Sequence, residues 1–328
     1  MSTFMSCDWG TSMLRLRLVD ALKMVALLEV KDDKGITGVF KLWKQKGMQD
    51  DGRLYFYQSF LAGYIRMLEQ QAGYSLQDIP MIISGMASSS IGMMELPYKE
   101  APFKIDGQDL FIKAIEATND FNHSMLMISG VKTENDAMRG EETQLIGCLN
   151  SDVDASGLFI FPGTHSKHVT VKNGEATDIK TYMTGEFFEL LSKKSILSDN
   201  LEENKEILTG NLLKSFENGI ADSKVSNLLH SSFMVRTNQL FGKLTKKENY
   251  AYLSGLMIGS ELKDVNNNIP ITIIGDEMMI KLYKVALQKT GITSIYNLDA
   301  GEAVIYGHYK IYSLYKSKLI SGNNFIKK

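Results

Sequence analysis

The chain has 328 residues, 44% hydrophobic and 23% charged, which suffices for two domains with separate cores and excludes pervasive disorder. Its net charge of -2 and pI near 6.3 exclude a general affinity for nucleic acid, which takes a basic face. An anionic ligand must therefore be held by local donors.

Residues 4–7 read as a first strand and Asp8-Trp9-Gly10-Thr11-Ser12 as a tight loop. The second strand alternates, with Leu14, Leu16 and Leu18 on one face and Arg15 and Arg17 on the other, the period of a half-buried strand. Arg17 is expected to be a solvated strand-end charge. The chain returns over 24–28, and an apolar helix follows over 54–71. Strands are expected at 79–84 and 125–128, then a helix over 137–149 with Asp136 at its start. Residues 157–183 repeat the opening: strand 158–161, loop 162–167, strand 168–171, the hairpin signal Asn173-Gly174, and a return over 179–182. A helix at 186–194 leads on to strand 271–274, helix 277–290, strand 294–298 and helix 301–315. Strands separated by helices predict parallel pairing and an α/β fold. The shared Gly-Thr at one loop position favours an internal duplication into two lobes; a common strand–turn–strand unit arising twice is the alternative. The lobes are expected at 1–135, joined by a C-terminal helix in 300–328, and at 136–299. The tail Asn323–Lys328 is expected to fray.

Glycine lets backbone approach a ligand closely, and successive N–H groups with hydroxyls form an anion-binding concavity. Gly10-Thr11-Ser12 and Gly163-Thr164-His165-Ser166 have that composition, and together they suit a polyphosphate gripped by two loops. Asp8 can hold Mg²⁺ through water, since magnesium prefers a few carboxylates plus phosphates; the alternative is a turn aspartate capping its own backbone. Arg15 and Lys167 can neutralise phosphate charge. Asp136 is either a helix N-cap or a carboxylate that accepts a proton from a substrate hydroxyl. Glu141 and Glu142 read as one buried and one exposed carboxylate.

Other chemistries are missing their patterns. The sequence has no Walker A, G-x-G-x-x-G or G-x-S-x-G motif. His165 and Ser166 are adjacent on a turn and cannot pair as base and nucleophile. His123, His230 and His308 read as isolated surface or capping histidines, and the 18 methionines as core filler. Cys7 and Cys148 have neither disulfide nor zinc spacing and read as buried thiols. The opening residues lack a signal-peptide pattern and no apolar run reaches membrane-spanning length, so a cytoplasmic protein without a membrane partner is expected.

The two loops, with Gly275-Asp276, resemble the phosphate-1, phosphate-2 and adenosine motifs of the acetate and sugar kinase/actin superfamily. The sequence more closely resembles the 2-dehydro-3-deoxygalactonokinase family. That resemblance rests on Asp8–Ser12 with Arg15, Ser84-Gly85-Met86-Ala87-Ser88, Met138–Gln144, Pro162–Lys167 and Met183-Thr184-Gly185-Glu186. It implies two ribonuclease-H-like lobes with a cleft between them. It also implies transfer of the ATP γ-phosphate, with Mg²⁺, to O6 of 2-dehydro-3-deoxy-D-galactonate in galactonate catabolism. Gly275 then belongs to the ATP site with the two loops. Ser84, Gly85, Met86, Ser88, Arg139, Glu141, Thr184, Gly185 and Glu186 then belong to the sugar-acid site. Asp136 is similar in position to the base of related glucokinases, whose Asn-Asp-Ala run opens a helix. The stretch Ser88–Met93 departs from the family pattern, which usually has a basic or amide residue and a tryptophan there. Another sugar or sugar acid therefore remains an alternative substrate, and an ATPase or sugar-binding regulator on the same fold is the non-kinase alternative. The resemblance is compatible with a monomer or a homodimer.

Overall fold

The computed structural model describes residues 2–148, 156–266 and 268–320, so the tail Asn323–Lys328 lies outside the described residues. The chain divides into two compact units, Met1–Ser156 with Thr170–Ile179 and Ala300–Lys328, and Gly157–Val169 with Lys180–Asp299.

The first unit opens with β1 (Thr3–Trp9), β2 (Leu14–Asp20) and β3 (Val25–Asp32), followed by α1 (Ile36–Gln45), α2 (Arg53–Ala72) and β4 (Met81–Gly85). Short strands follow: β5 (Lys99–Glu100), β6 (Phe103–Lys104), β7 (Ile112–Ile115), β8 (Met125–Ile128), β9 (Val131–Lys132) and β10 (Ala137–Met138). Then comes α3 (Glu141–Gly147). The main sheet has the order β3-β2-β1-β4-β8-β7. Its centre is parallel, β1 to β4 to β8, and its flanks are antiparallel. Every residue of β4 and β8 is buried, as parallel strands covered on both faces require. On α2 the buried residues Phe56, Leu61, Ile65 and Leu68 recur at helical spacing and pack with Ile36, Val39 and Trp43 of α1 on the sheet. Gly73, at φ 76°, ends α2 in the left-handed conformation.

The chain continues through β11 (Gly157–Phe161), β12 (Ser166–Lys172), β13 (Glu175–Tyr182), α4 (Thr184–Lys194), α5 (Gly210–Val225), α6 (Leu228–Leu240) and α7 (Lys246–Leu262). It ends with β14 (Ile271–Gly275), α8 (Glu277–Lys289), β15 (Ile295–Asp299) and α9 (Ala300–Ile320). In the second unit β15, β14 and β11 are neighbours in one sheet, in that order, and in the first unit β13 pairs with β6. In the second unit β11, β14 and β15 run parallel over a core that includes Ile160, Phe216, Ile220, Ile271, Ile273 and Leu282. In the first unit α9 packs on α3, and a Cβ at Gly307 would meet the Thr143 carbonyl oxygen at 2.0 Å.

Several sequence expectations need correction. Residues 137–149 do not form one helix. Ala137–Met138 pairs with β9, and α3 starts only at Glu141, because Gly140 adopts φ 119°, a value no helix accommodates. Asp136 therefore sits in the β9–β10 turn, where its N–H donates to Thr133 Oγ1 at 3.0 Å and its carbonyl accepts the Thr133 N–H at 2.8 Å. Arg17 is 7% exposed rather than solvated, since β3 runs on to Asp32 and places Glu29 opposite it, with Nε 2.5 Å from Glu29 Oε2. His308 is fully buried in α9, and His123 is buried with Nδ1 2.9 Å from the Ile79 carbonyl oxygen. Among the described residues no helix is long and apolar enough to cross a membrane.

Candidate functional site

In the first unit Asp8 is the next-to-last residue of β1, half-buried, with Oδ2 3.2 Å from Arg15 Nη1 across the β1–β2 pair. Thr11 and Ser12 are exposed at the loop tip, which is closed by the Gly10 N–H donating to the Met13 carbonyl at 2.8 Å. The start of α1 holds the loop from below. Ile36 and Thr37 N–H donate to the Gly10 and Thr11 carbonyls at 3.0 and 3.2 Å. Gly35 is required there, since a Cβ would lie 2.2 Å from the Thr11 oxygen.

Beside β1 the parallel register sets Ser84 opposite Asp8 and Gly85 opposite Trp9. Gly85 turns the chain out of β4 at φ 86°, a conformation that favours glycine, and leads into Met86. Gly140 is seated on this turn, its missing Cβ 3.4 Å from Gly85 Cα. Asp8, Gly85 and the Gly140–Glu142 segment therefore meet at the ends of β1 and β4.

Arg139 organises the next stretch. Its Nη1 donates to the Ser88 carbonyl at 2.6 Å and to Ser88 Oγ at 2.7 Å, and its guanidinium lies 4.1 Å from the Tyr98 ring centroid. Arg53 Nη1 donates to the Ser90 carbonyl at 2.8 Å and Tyr57 Oη to the Ile91 carbonyl at 2.6 Å. Ser88–Ile91 is thus fastened from three sides. Arg53 and Tyr57 went unread in the sequence because their partners are 34 or more residues away. Glu141 Oε2 accepts the Arg139 N–H at 3.0 Å, and Glu142, fully buried, accepts the Gly140 N–H on both oxygens at 2.9 and 2.8 Å. Burial first, then the charge of Glu141, pushes the Glu142 carboxyl up to about 7. Ser84 is also buried: its hydroxyl lies 3.0 Å from His308 Nε2, while His308 Nδ1 is 2.8 Å from Ser6 Oγ. Burial first, then Arg17, lowers the His308 pKa to about 3, so the ring is neutral and links two serines of adjacent strands.

In the second unit Gly163, Thr164 and His165 are exposed between β11 and β12, whereas Ser166 and Lys167 are buried. Lys167 Nζ donates to the His165 carbonyl at 3.2 Å. Thr184 and Gly185 open α4 directly against this loop. A Cβ at Gly185 would lie 2.6 Å from the Gly163 oxygen, and the Glu186 N–H donates to the Thr164 carbonyl at 3.0 Å. Glu186 Oε2 also lies 2.5 Å from His165 Nε2. Gly275 ends β14 next to Pro162, before Asp276 caps α8 by accepting the Met279 N–H at 2.9 Å. The second unit thus gathers Gly163–Lys167, Thr184–Glu186 and Gly275, and the first gathers Asp8–Arg15, Ser84–Ser88 and Arg139–Glu141. Asp136 stands apart from the first turn of α3, in its own hairpin.

Asp8 matches the donor set expected for magnesium on a polyphosphate, one carboxylate with the remaining ligands from phosphate and water. Among the described residues no group of three or more His, Cys, Asp or Glu forms a protein cage for a metal.

Residues 8–311 match the family described as 2-keto-3-deoxy-galactonokinase. A probable 2-dehydro-3-deoxygalactonokinase of Rhizobium meliloti is 28% identical over 314 residues, covering 93% of this chain and 94% of that protein. The 2-dehydro-3-deoxygalactonokinase of Escherichia coli is 29% identical over 229 residues, 65% of this chain and 71% of that one. A Sinorhizobium meliloti crystal structure carrying the same enzyme name superposes with a TM-score of 0.78 at 25% identity, over 99% of this chain and 98% of the other. The fold is that of the actin-like ATPases and sugar kinases, and the chain belongs to the 2-keto-3-deoxy-galactonokinase family of phosphotransferases.

Proposed function

We propose that the protein transfers the γ-phosphate of ATP to the terminal 6-hydroxyl of 2-dehydro-3-deoxy-D-galactonate, in the cytoplasm, as a step of galactonate catabolism. The observation that carries this reading is the family match from Asp8 to residue 311, which takes in each segment built above. Asp8, Gly10, Thr11, Ser12 and Arg15, with Gly163–Lys167 and Gly275, bind the nucleotide. Ser84–Ser88, Arg139, Glu141 and Thr184–Glu186 shape the sugar-acid site. Arg139 does so by holding Ser88 in place. Ser84 does so from beneath, since its hydroxyl is taken up by His308.

Asp8 would hold the magnesium that accompanies ATP, and that ion would supply neutralisation of phosphate charge there. The new bond joins O6 to the γ-phosphorus, the bond to the β,γ-bridging oxygen breaks, and ADP leaves. Asp136 takes the proton of the 6-hydroxyl. A weak base suffices, because the transition state of phosphoryl transfer is loose and positioning outweighs base strength.

The test is coupled ADP release measured across a panel of sugar acids and hexoses. 2-Dehydro-3-deoxygalactonate is expected to give the highest kcat/KM. Turnover of another sugar with none of this acid would sink the substrate assignment, and ATP hydrolysis indifferent to every sugar would sink the kinase reading of this chain.

A further inference from the structure

The second unit contains a buried polar cluster centred on Glu261, a residue to which none of the roles above is assigned. Glu261 lies near the C-terminal end of α7 and is 4% exposed. Its Oε1 accepts from Ser166 Oγ at 2.8 Å and lies 2.8 Å from His168 Nε2. Its Oε2 accepts from Tyr283 Oη at 2.7 Å and from Thr184 Oγ1. Four side chains from β12, α4 and α8 therefore converge on one carboxylate. Burial, followed by the charge of Glu261, raises the Tyr283 pKa well above its ordinary value, so this phenol keeps its proton and donates. Taking a carboxylate out of water is costly, and satisfied hydrogen bonds of this kind are what make such burial tolerable.

The partners of Glu261 explain its place. Ser166 is the residue at which the Pro162–Lys167 loop enters β12, and its hydroxyl also donates to the carbonyl of Phe161, where the loop leaves β11, at 3.3 Å. Thr184 precedes Gly185 and Glu186, on which the Gly163–Thr164 backbone rests. Glu261 thus fastens both the stem of the loop and the helix start beneath its tip, while Gly163, Thr164 and His165 stay exposed. Glu261 is too buried to touch a ligand.

We infer that Glu261 is a positioning residue that fixes the shape of the Pro162–Lys167 loop for the nucleotide's phosphates. The inference rests on the reading of that loop as phosphate-binding. An anion-binding loop works through the directions of its backbone N–H groups, so small displacements of its stem weaken phosphate contacts and leave adenosine contacts alone.

Glu261→Gln conserves volume and removes the charge. Its carbonyl oxygen can keep Ser166 and His168, but its NH₂ then faces the hydroxyls of Thr184 and Tyr283, which lose their bonds to a charged acceptor and must turn to accept. The enzyme is assayed with ATP, with ADP and adenosine as competing ligands. The variant is expected to weaken ATP and ADP by about tenfold, the scale of one lost hydrogen bond to a charged group, and to leave adenosine within about twofold. Thr184→Val, isosteric at the edge of the cluster, is expected to act in the same direction and carries the test if Glu261→Gln fails to fold. Equal losses for ADP and adenosine, or no loss, overturn the proposal. Thr164→Glu, at an exposed loop position, separates the two readings. If it leaves ADP binding intact, the phosphate-loop reading falls and takes the proposal with it. If it abolishes ADP binding while Glu261→Gln changes nothing, only the positioning role falls.

Discussion

Glu142 is a residue whose environment makes a measurable demand. It is fully buried, and both of its oxygens are occupied by one N–H, that of Gly140. Its carboxyl is raised from 4.5 to about 7, chiefly by burial. A group with a higher pKa in the folded state favours folding in its protonated form. That contribution is complete below pH ~4.5 and is lost as pH rises through about 7, a loss of about 3 kcal/mol between those limits. Glu142→Gln keeps an acceptor for the Gly140 N–H and cannot ionise. Denaturant titrations from pH 5 to 8 should show wild-type stability falling against the variant by roughly that amount. Parallel profiles would remove Glu142 as the source of the slope. The sequence reading anticipated a buried member of the Glu141–Glu142 pair, because two adjacent carboxylates at a helix start cannot both face the core. It did not anticipate Glu261 or His308. Each is a polar residue buried on a helix, and its partners lie up to 95 and 302 residues away in the chain. Local pattern carries no record of such partners.

At the scale of elements, strands were the most legible part. The alternation of Leu14, Leu16 and Leu18 and the apolar runs of β4, β8 and β14 announce their own burial. The helices α1, α5, α6 and α7 were not read, since α5 and α6 bury serines and a glycine among their core positions and so blur the apolar stripe. The misplaced start of α3 matters most for chemistry. Had the helix begun at Asp136, its N-terminal dipole would have stabilised the carboxylate. In the β9–β10 turn that support is gone, and Asp136 is held instead by backbone bonds to Thr133. The base assignment therefore depends on reach rather than on the helix. Asp136→Asn should lower kcat by about two to four orders of magnitude, the range for a positioned general base, with little change in nucleotide KM. A kcat close to wild type would transfer the role to a carboxylate of α3, of which Glu141 is half-buried rather than enclosed.

For the molecule as a whole, the sequence disclosed one plan used twice: strand, Gly-Thr loop and two further strands, seen in β1–β3 and again in β11–β13. The strands β1 and β2 of the first plan contribute to one hydrophobic core, and β11 of the second contributes to another. Where the units divide was less legible, because the first unit runs on to Ser156 and takes in Thr170–Ile179 from the second half of the chain. Ligand binding can be followed at this scale through mass action. ADP at 100 times its Kd stabilises the native state by about 2.7 kcal/mol. With an unfolding entropy of ~2.1 cal/mol/K per residue, that raises the melting temperature by about 4 °C if all 328 residues unfold together, and by more if one unit melts alone. Magnesium should enlarge the shift by tightening ADP binding. In Asp8→Ala the magnesium-free shift should survive and the magnesium increment should vanish. The lost contact with Arg15 has little effect on the baseline, because that guanidinium is 37% exposed and such pairs contribute at most ~1 kcal/mol. A variant that keeps the full magnesium increment would show that Asp8 does not hold the metal, and the β1 loop would then act on phosphate through Gly10, Thr11, Ser12 and Arg15 alone.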